Sequence, residues 1–589
     1  MTLLQDKIET AHERAKRKLL AARNAAGQWA GELSSSALST ATAIFALQKH
    51  LETRPNPAIS QLIQAGRQWL KANQNSDGGW GDTVLSHSNI STTALCWSAL
   101  PANGAAESWL TRYAGSLEPK AIARAIIARY GRDKTFSVPI LTMCALADRL
   151  GSGRDAWRFI PQLPFELAIF PHKWFQLIRL PVVSYALPAL ISMGLARHVN
   201  RPSINPVSRA YRAMARPGAL RLLQKIQPKG GGFLEATPLT SFVVMSLIGA
   251  GLHDHPVVEA GVDFLIRSAR PDGSWPIDTN LATWLTTLAV NAIDGELDAN
   301  FKFQISNFIL NQQYRVEHPY THAAAGAWAW TNLPGGVPDA DDTAGALIAL
   351  RNLDSPMNDA INRGLGWLLD LQNRDGGVPT FCRGWGHLPF DRSGADLTGH
   401  ALHAWAAWRS AADPTLQERI DQASTRAIAY LQKMQRNDGS WEPLWFGNQF
   451  VADDANYTYG TARVVSALAR LGAPSVDAIL TGGVDWLLAA QNPDGSWGGG
   501  QQTPPSIEET ALASHALAVA SSRMKDPDQA KIAAFHGIDW LIEKTDGGQN
   551  FPVAPIGFYF AKLWYFERDY PLIFTTAALV AARRLLSES

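Results

Sequence analysis

Apolar residues recur at helical spacing in TTALCWSAL (92–100), ATWLTTLAVNAI (282–293), TARVVSALARL (461–471) and ETALASHALAV (509–519). A second pattern precedes nearly every such stretch. AGRQWLKANQNSDGGW (65–80), AGVDFLIRSARPDGSW (260–275), RGLGWLLDLQNRDGGV (363–378), RAIAYLQKMQRNDGSW (426–441) and GGVDWLLAAQNPDGSW (482–497) are its copies. Most place an aromatic, an apolar residue, a Gln, a Gly and a terminal Trp at matching offsets. RAKRKLLAARNAAGQW (14–29) and HGIDWLIEKTDGGQNF (536–551) are degraded copies. Self-similarity of this kind marks an array of like units. Within one copy the first half is the end of a helix and xDGxW is a turn, with Gly free to take positive φ. The Gln amide is placed to bond the turn backbone, and the Trp ring to lie over the helix end. Helix, turn and helix repeat with almost no strand-like alternation, so the expected fold is all-α, its helix pairs closing into α/α toroids.

At 589 residues the chain exceeds one ordinary core, and two domains are expected. A net charge of +1 and 46% apolar residues describe an ordered protein without the basic stripe of a nucleic-acid partner. Cys96, Cys144 and Cys382 are far apart and odd in number, which favours a reducing compartment over a disulfide framework. The first 24 residues alternate charges and lack the apolar stretch of a signal peptide. LPVVSYALPALISMGLA (180–196) is short for a span and carries Pro181 and Pro188, so it reads as a buried helix.

The candidate chemistry lies in VPDADDTAGAL (337–347), where Asp339, Asp341 and Asp342 crowd against the start of an apolar helix. Capping the helix would use one or two of them. Three also repel one another, so at least one is expected to keep its proton at neutral pH. A carboxyl kept protonated in an apolar cavity is available as a general acid.

The tryptophan–glycine repeats together with the DxDD motif resemble the squalene–hopene cyclase family of triterpene cyclases, and the repeats carry that likeness over residues 14–551. The resemblance implies two α/α toroid domains of the terpenoid cyclase type. A helix over 1–29 would pack on the C-terminal toroid, an inserted toroid would span 30–285, and the acid site would lie in a toroid over 286–589. It also implies proton-initiated cyclisation of squalene or a close polyprenoid, with no cofactor and no metal. By resemblance Asp341 is the proton donor, with Asp339 and Asp342 as anionic or hydrogen-bonding neighbours. In GADLTGHALHAW (394–405) His400 would sharpen the donor's acidity while Asp396 orients its ring. Tyr459, in NYTYGT, would link the acid cluster to water. Trp284, Trp328, Trp330, Phe381, Phe558 and, less directly, Tyr185 would line the cavity and face the carbocation.

The chain also departs from the family. LWFGNQFVADDANYTYGT (444–461) is longer than the matching segment, so Trp445 or Phe446 would fold back to fill it, and Lys562 stands near where an aromatic is expected. A class II cyclase of a diterpenoid diphosphate and a non-catalytic toroid scaffold are the alternatives. A squalene-like substrate calls for monotopic attachment to the cytoplasmic side of a membrane, with a homodimer possible. The candidate surface runs from Phe170 to Lys225, which holds no acid after Glu166 until Glu235.

Overall fold

The structure is a computed structural model that describes residues 2–131, 134–294, 297–558 and 562–587, with side chains from Leu4 and without that of Phe558. It is all-α apart from a few two- and three-residue strands. The repeat geometry accounts for the elements. In Trp80, Trp275, Trp441 and Trp497 the indole Nε1 donates to the carbonyl ten residues earlier, of Leu70, Leu265, Leu431 and Leu487, at 2.7–2.8 Å. Each ring thereby seals the open end of its own helix. The backbone N–H of each of these tryptophans donates to a threonine hydroxyl, of Thr93, Thr40, Thr461 and Thr510, on another helix.

The glutamines close the second half of the unit. Gln372, Gln435 and Gln491 each donate from Nε2 to the turn glycine carbonyl and to a carbonyl of the next outer helix, namely Ala423, Ile479 and Ala533. Only glycine fits the turn. Gly439 has φ +92°, and a Cβ there would lie 2.2 Å from the Gly482 carbonyl oxygen.

Two further copies escape the sequence pattern. Gln313 reaches Gly326 across a loop insertion before Trp328, and Gln227 reaches Gly231 before Phe233. Trp328 Nε1 donates to Ile309 at 2.6 Å and its N–H to Thr343, which makes it a repeat tryptophan.

Helices Ala37–Leu51, Ile90–Ala99, Lys134–Leu146, Val183–Asn200 and Thr237–Gly249 pack in sequence and the last returns to the first, closing an inner ring. Ala282–Ile293, Ala340–Asn352, Ala395–Arg409, Tyr457–Leu471, Ile507–Ser521 and Tyr570–Ser587 close a second ring. The N-terminal helix Thr2–Ala21 joins the outer layer of this second ring against Tyr570–Ser587 and Asp528–Lys544. The buried apolar residues divide accordingly, one cluster drawn mainly from 37–275 and the other from 8–33 and 277–585. The helix beginning at Ala282 thus belongs wholly to the second cluster. Among the described residues no helix is long and apolar enough to cross a membrane.

Candidate active site

A cavity of about 730 Å³ lies where the two clusters meet, lined by Leu38, Leu95 and Phe242 from the first and by Trp284, Tyr565 and Tyr570 from the second. Its wall is overwhelmingly apolar. Asp339, Asp341 and Asp342 enter it together.

Local backbone chemistry sets their positions. Asp339 is the N-cap of Ala340–Asn352, in extended conformation (φ −143°, ψ 169°), and its carboxylate accepts from the Asp342 N–H at 2.8 Å. Capping therefore occupies one carboxylate, and the helix then turns the other two toward the cavity and its back wall. Asp341 Oδ1 is hydrogen-bonded to His400 Nδ1, and Arg463 Nη2 lies 3.9 Å from the same oxygen. His400 comes from Ala395–Arg409 and Arg463 from Tyr457–Leu471, so three inner helices converge on one carboxyl.

The electrostatics separate the three acids. Burial works against ionisation of Asp341, but His400 and then Arg463 outweigh it and hold the carboxyl below its ordinary value. Asp339 is pushed up to about 7, chiefly by burial and also by the charge of Asp341. Asp342 is pushed well above the carboxylate range by burial and then by Asp339. His400 is lowered by burial and then by Arg463, so at neutral pH its ring is neutral and an Nδ1–H supports the Asp341 anion. Asp341 is the strongest acid of the cluster, Asp342 keeps its proton, and Asp339 exchanges one near neutrality.

Several other expectations change. Asp396 is buried, but its Oδ1 accepts from the Leu444 N–H at 3.1 Å, so it fixes the 444–446 segment and not the His400 ring. Burial raises it to about 6. Trp328 is fully buried under its helix end, away from the cavity wall. Tyr459 is buried against Phe446 with ring centroids 4.5 Å apart and faces the charges of Arg463 and Asp341, and burial raises its hydroxyl far above the usual value.

Trp284, Trp330, Phe381 and Tyr185 do line the cavity. Trp284 donates to Tyr570 Oη at 3.0 Å and stands edge-on to the His400 ring at 6.3 Å. Trp330 Nε1 donates to Asp278 at 3.1 Å. Tyr185 donates to the Phe381 carbonyl at 3.1 Å, across the two toroids. The Phe558 side chain lies outside the described residues; its backbone pairs with Phe446.

Both family departures meet at one place. Lys562 Nζ pairs with Asp454 at 2.9 Å, and Asp454 also holds Arg129 at 3.1 Å. The longer segment and the displaced lysine thus compensate one another, while Trp445 and Phe446 fill the wall. Sequence reasoning missed Arg463 altogether. Its signal was a lone cation in the apolar run TARVVSAL, one turn after Tyr459 on the same helix face. It also missed Tyr565 and Tyr570, whose segment carries no repeat signature.

An acid cluster set in the wall of an aromatic-lined apolar cavity, between two rings of helices, is the arrangement of the terpene cyclases that begin with a proton. The squalene-hopene cyclase C-terminal domain model matches residues 281–584 and the N-terminal domain model residues 12–200, and the chain belongs to this family. It is 26% identical to enfumafungin synthase of Hormonema carpetanum over 91% of this chain and 45% of that protein, so it spans less than half of that relative's length. It is 23% identical to the squalene–hopene cyclase of Bradyrhizobium diazoefficiens over 91% of this chain and 88% of the relative. In fold it is similar to the ent-copalyl diphosphate synthase from Streptomyces platensis, with a TM-score of 0.57 and 19% identity over 98% of this chain and 99% of that one.

Proposed function

We propose that the chain cyclises squalene or a close polyprenoid hydrocarbon to a hopene-like polycyclic triterpene, starting from a proton on Asp341. The carrying observation is the setting of Asp341, which opens onto a wide apolar cavity while His400 and Arg463 stabilise its conjugate base from behind. An alkene is a very weak base, so the donor must be a strong acid in a dry site. In the step, protonated Asp341 gives its proton to the less substituted carbon of the terminal double bond, whose π electrons form the new C–H bond. A tertiary cation remains on the neighbouring carbon, and each following double bond attacks it in turn. Asp339 and Asp342 are the nearby store of protons. Trp330, Trp284 and Phe381 present π faces to the moving charge, each worth roughly 0.5–2 kcal/mol.

The lining favours a hydrocarbon over a diphosphate. Among the described lining residues Lys134 is the one cation. Purified protein should convert squalene to polycyclic products on gas chromatography–mass spectrometry, and Asp341→Asn should form none while keeping the wild-type circular dichroism spectrum. Full activity in the Asp341→Asn variant sinks the assignment of the acid; turnover of geranylgeranyl diphosphate but not squalene moves the substrate to the diterpenoid class.

Such a substrate arrives from a bilayer. Trp174, Leu177, Ile178, Ile204, Val207 and Met214 are exposed in the segment anticipated for docking, alongside exposed Lys173, Arg179, Arg209 and Arg221. Arg212 belongs to the interior instead, since its Nε pairs with Glu166 at 3.0 Å.

A further inference from the structure

A second cavity, of about 390 Å³, occupies the axis of the C-terminal ring on the far side of the acid cluster. Its lining differs from that of the first in kind. Arg463, Ser466 and Arg470 lie at i, i+3 and i+7 on one face of Tyr457–Leu471, His400 and His403 come from Ala395–Arg409, and His515 from Ile507–Ser521. Arg584 stands at the mouth, more than half exposed, and is paired with Asp294.

The ion pairs are incomplete. Arg470 donates to the Ser466 carbonyl at 3.0 Å and to His515 Nε2 at 3.3 Å. A guanidinium offers only donors, so His515 Nε2 accepts and the ring proton sits on Nδ1, which donates to Ser466 Oγ at 3.4 Å. Among the described residues no carboxylate is within ion-pair distance of Arg470. Arg463 shares Asp341 with His400, and its Nη2 is buried without a hydrogen-bond partner. Within ion-pair distance Asp341 meets Arg463 at the inner end and Asp294 meets Arg584 at the outer, which leaves Arg470 without a carboxylate partner among the described residues.

We propose that this chamber binds a small oxyanion of the phosphate type, held between Arg463 and Arg470 behind the acid. The two side chains leave their helix about 10 Å apart, at about 1.5 Å per residue, and both line the chamber. Guanidinium forks match tetrahedral oxyanions by paired N–H donors. A buried donor without a partner is unfavourable, and an anion here would accept from Arg463 Nη2. The histidines record the same imbalance. Burial and then Arg470 drive His403 well below its usual value, and burial and then Arg470 lower His515 to about 3. Arg470 itself falls to about 10, through burial and the repulsion of Arg463. Arg470 is exposed within the chamber and Arg584 is more than half exposed at its mouth. An anion behind Arg463 would draw that cation's field from Asp341 and weaken the acid, so occupancy should inhibit. The inhibition rests on the protonation reading above, whereas the binding does not.

The test is isothermal titration calorimetry of inorganic phosphate into the full chain in neutral detergent, at an ionic strength held with sodium gluconate. Wild type should show saturable one-to-one binding. Arg470→Gln should weaken it at least about tenfold, a loss of about 1.4 kcal/mol, and Arg470→Lys by less. Arg419→Gln, on the outer face where Arg419 pairs with Asp370, should bind as wild type does. Phosphate should also raise the melting temperature of wild type and not that of Arg470→Gln. Wild type without saturable heat, or a folded Arg470→Gln that binds equally well, overturns the site. Should Arg470→Gln not fold, undiminished binding by Arg470→Lys overturns it as well. Phosphate that binds without slowing squalene turnover overturns the inhibition alone.

Discussion

Replacing Arg463 by Gln keeps a polar side chain and removes the permanent positive charge beside Asp341. At 3.9 Å, with both side chains about four-fifths buried, the pair sits in partly screened surroundings. Two unit charges at this distance attract by about 4 kcal/mol at an effective dielectric of about 20, which is an upper limit here. His400 outranks Arg463 as the support of Asp341, and residual solvent screens the pair, so about 1.5–3 kcal/mol is the reasonable share. The Asp341 carboxyl becomes a weaker acid, and at about 1.4 kcal/mol per factor of ten that share is about 10- to 100-fold in acid strength. Proton transfer to an alkene follows acid strength, so kcat should fall about 10- to 100-fold if the whole change is felt in the transition state, and about 3- to 10-fold if half is. The weaker acid also holds its proton to higher pH, so the alkaline limb of the rate profile should move upward. Squalene turnover in detergent, followed by gas chromatography across pH 5–9, reads both effects. Arg463→Lys should recover most of the rate. A folded Arg463→Gln with kcat within about twofold of wild type and an unmoved pH profile would refute the argument, because neither the charge nor its field would then matter to Asp341.

Two neighbouring tryptophans should separate cleanly. Trp330→Ala opens the cavity wall and should yield truncated mono- or bicyclic products, whereas Trp328→Ala removes a fully buried ring and should lower stability by about 3–5 kcal/mol with an unchanged product spectrum. If Trp330→Ala is merely less stable, with the wild-type spectrum, its role is packing. The protein should also be most stable in mild acid. Burial raises Asp339 to about 7 and Glu508 and Glu567 each to about 8, so the fold retains protons that the unfolded chain releases from about pH 4 upward. Stability is lost as pH climbs through that interval, by a few kcal/mol between pH 6 and 8, and a melting temperature that is flat or rising over this range contradicts it. Finally, wild type should float with liposomes containing anionic lipid, and a variant with Arg209, Arg216 and Arg221 changed to Glu should not; equal flotation would discard this docking surface.

The sequence alone determined the architecture and pointed to the acid cluster. A Gln, an Asp-Gly turn and a Trp at fixed offsets specify interactions within one unit, because the indole reaches a carbonyl only ten residues back and the amide reaches its own turn. Local geometry of this kind survives in any context, so repetition was enough to reveal stacked helix pairs and to set DADD at a helix start. Even there, the loop inserted before Trp328 hid a copy whose hydrogen bonds are the same as the rest. Only the tertiary structure decided which groups share the acid. Asp396 stands four residues before His400 on one helix, yet it turns to Leu444, while Arg463, 122 positions after Asp341, supplies the cation. Ring closure brings those helices together, and no spacing within a single segment encodes that contact. The division of protons follows from it as well. Three adjacent carboxyls are alike as a string of letters, and they become one strong acid and two proton carriers because a histidine and an arginine arrive against Asp341 while burial and mutual repulsion act on the other two.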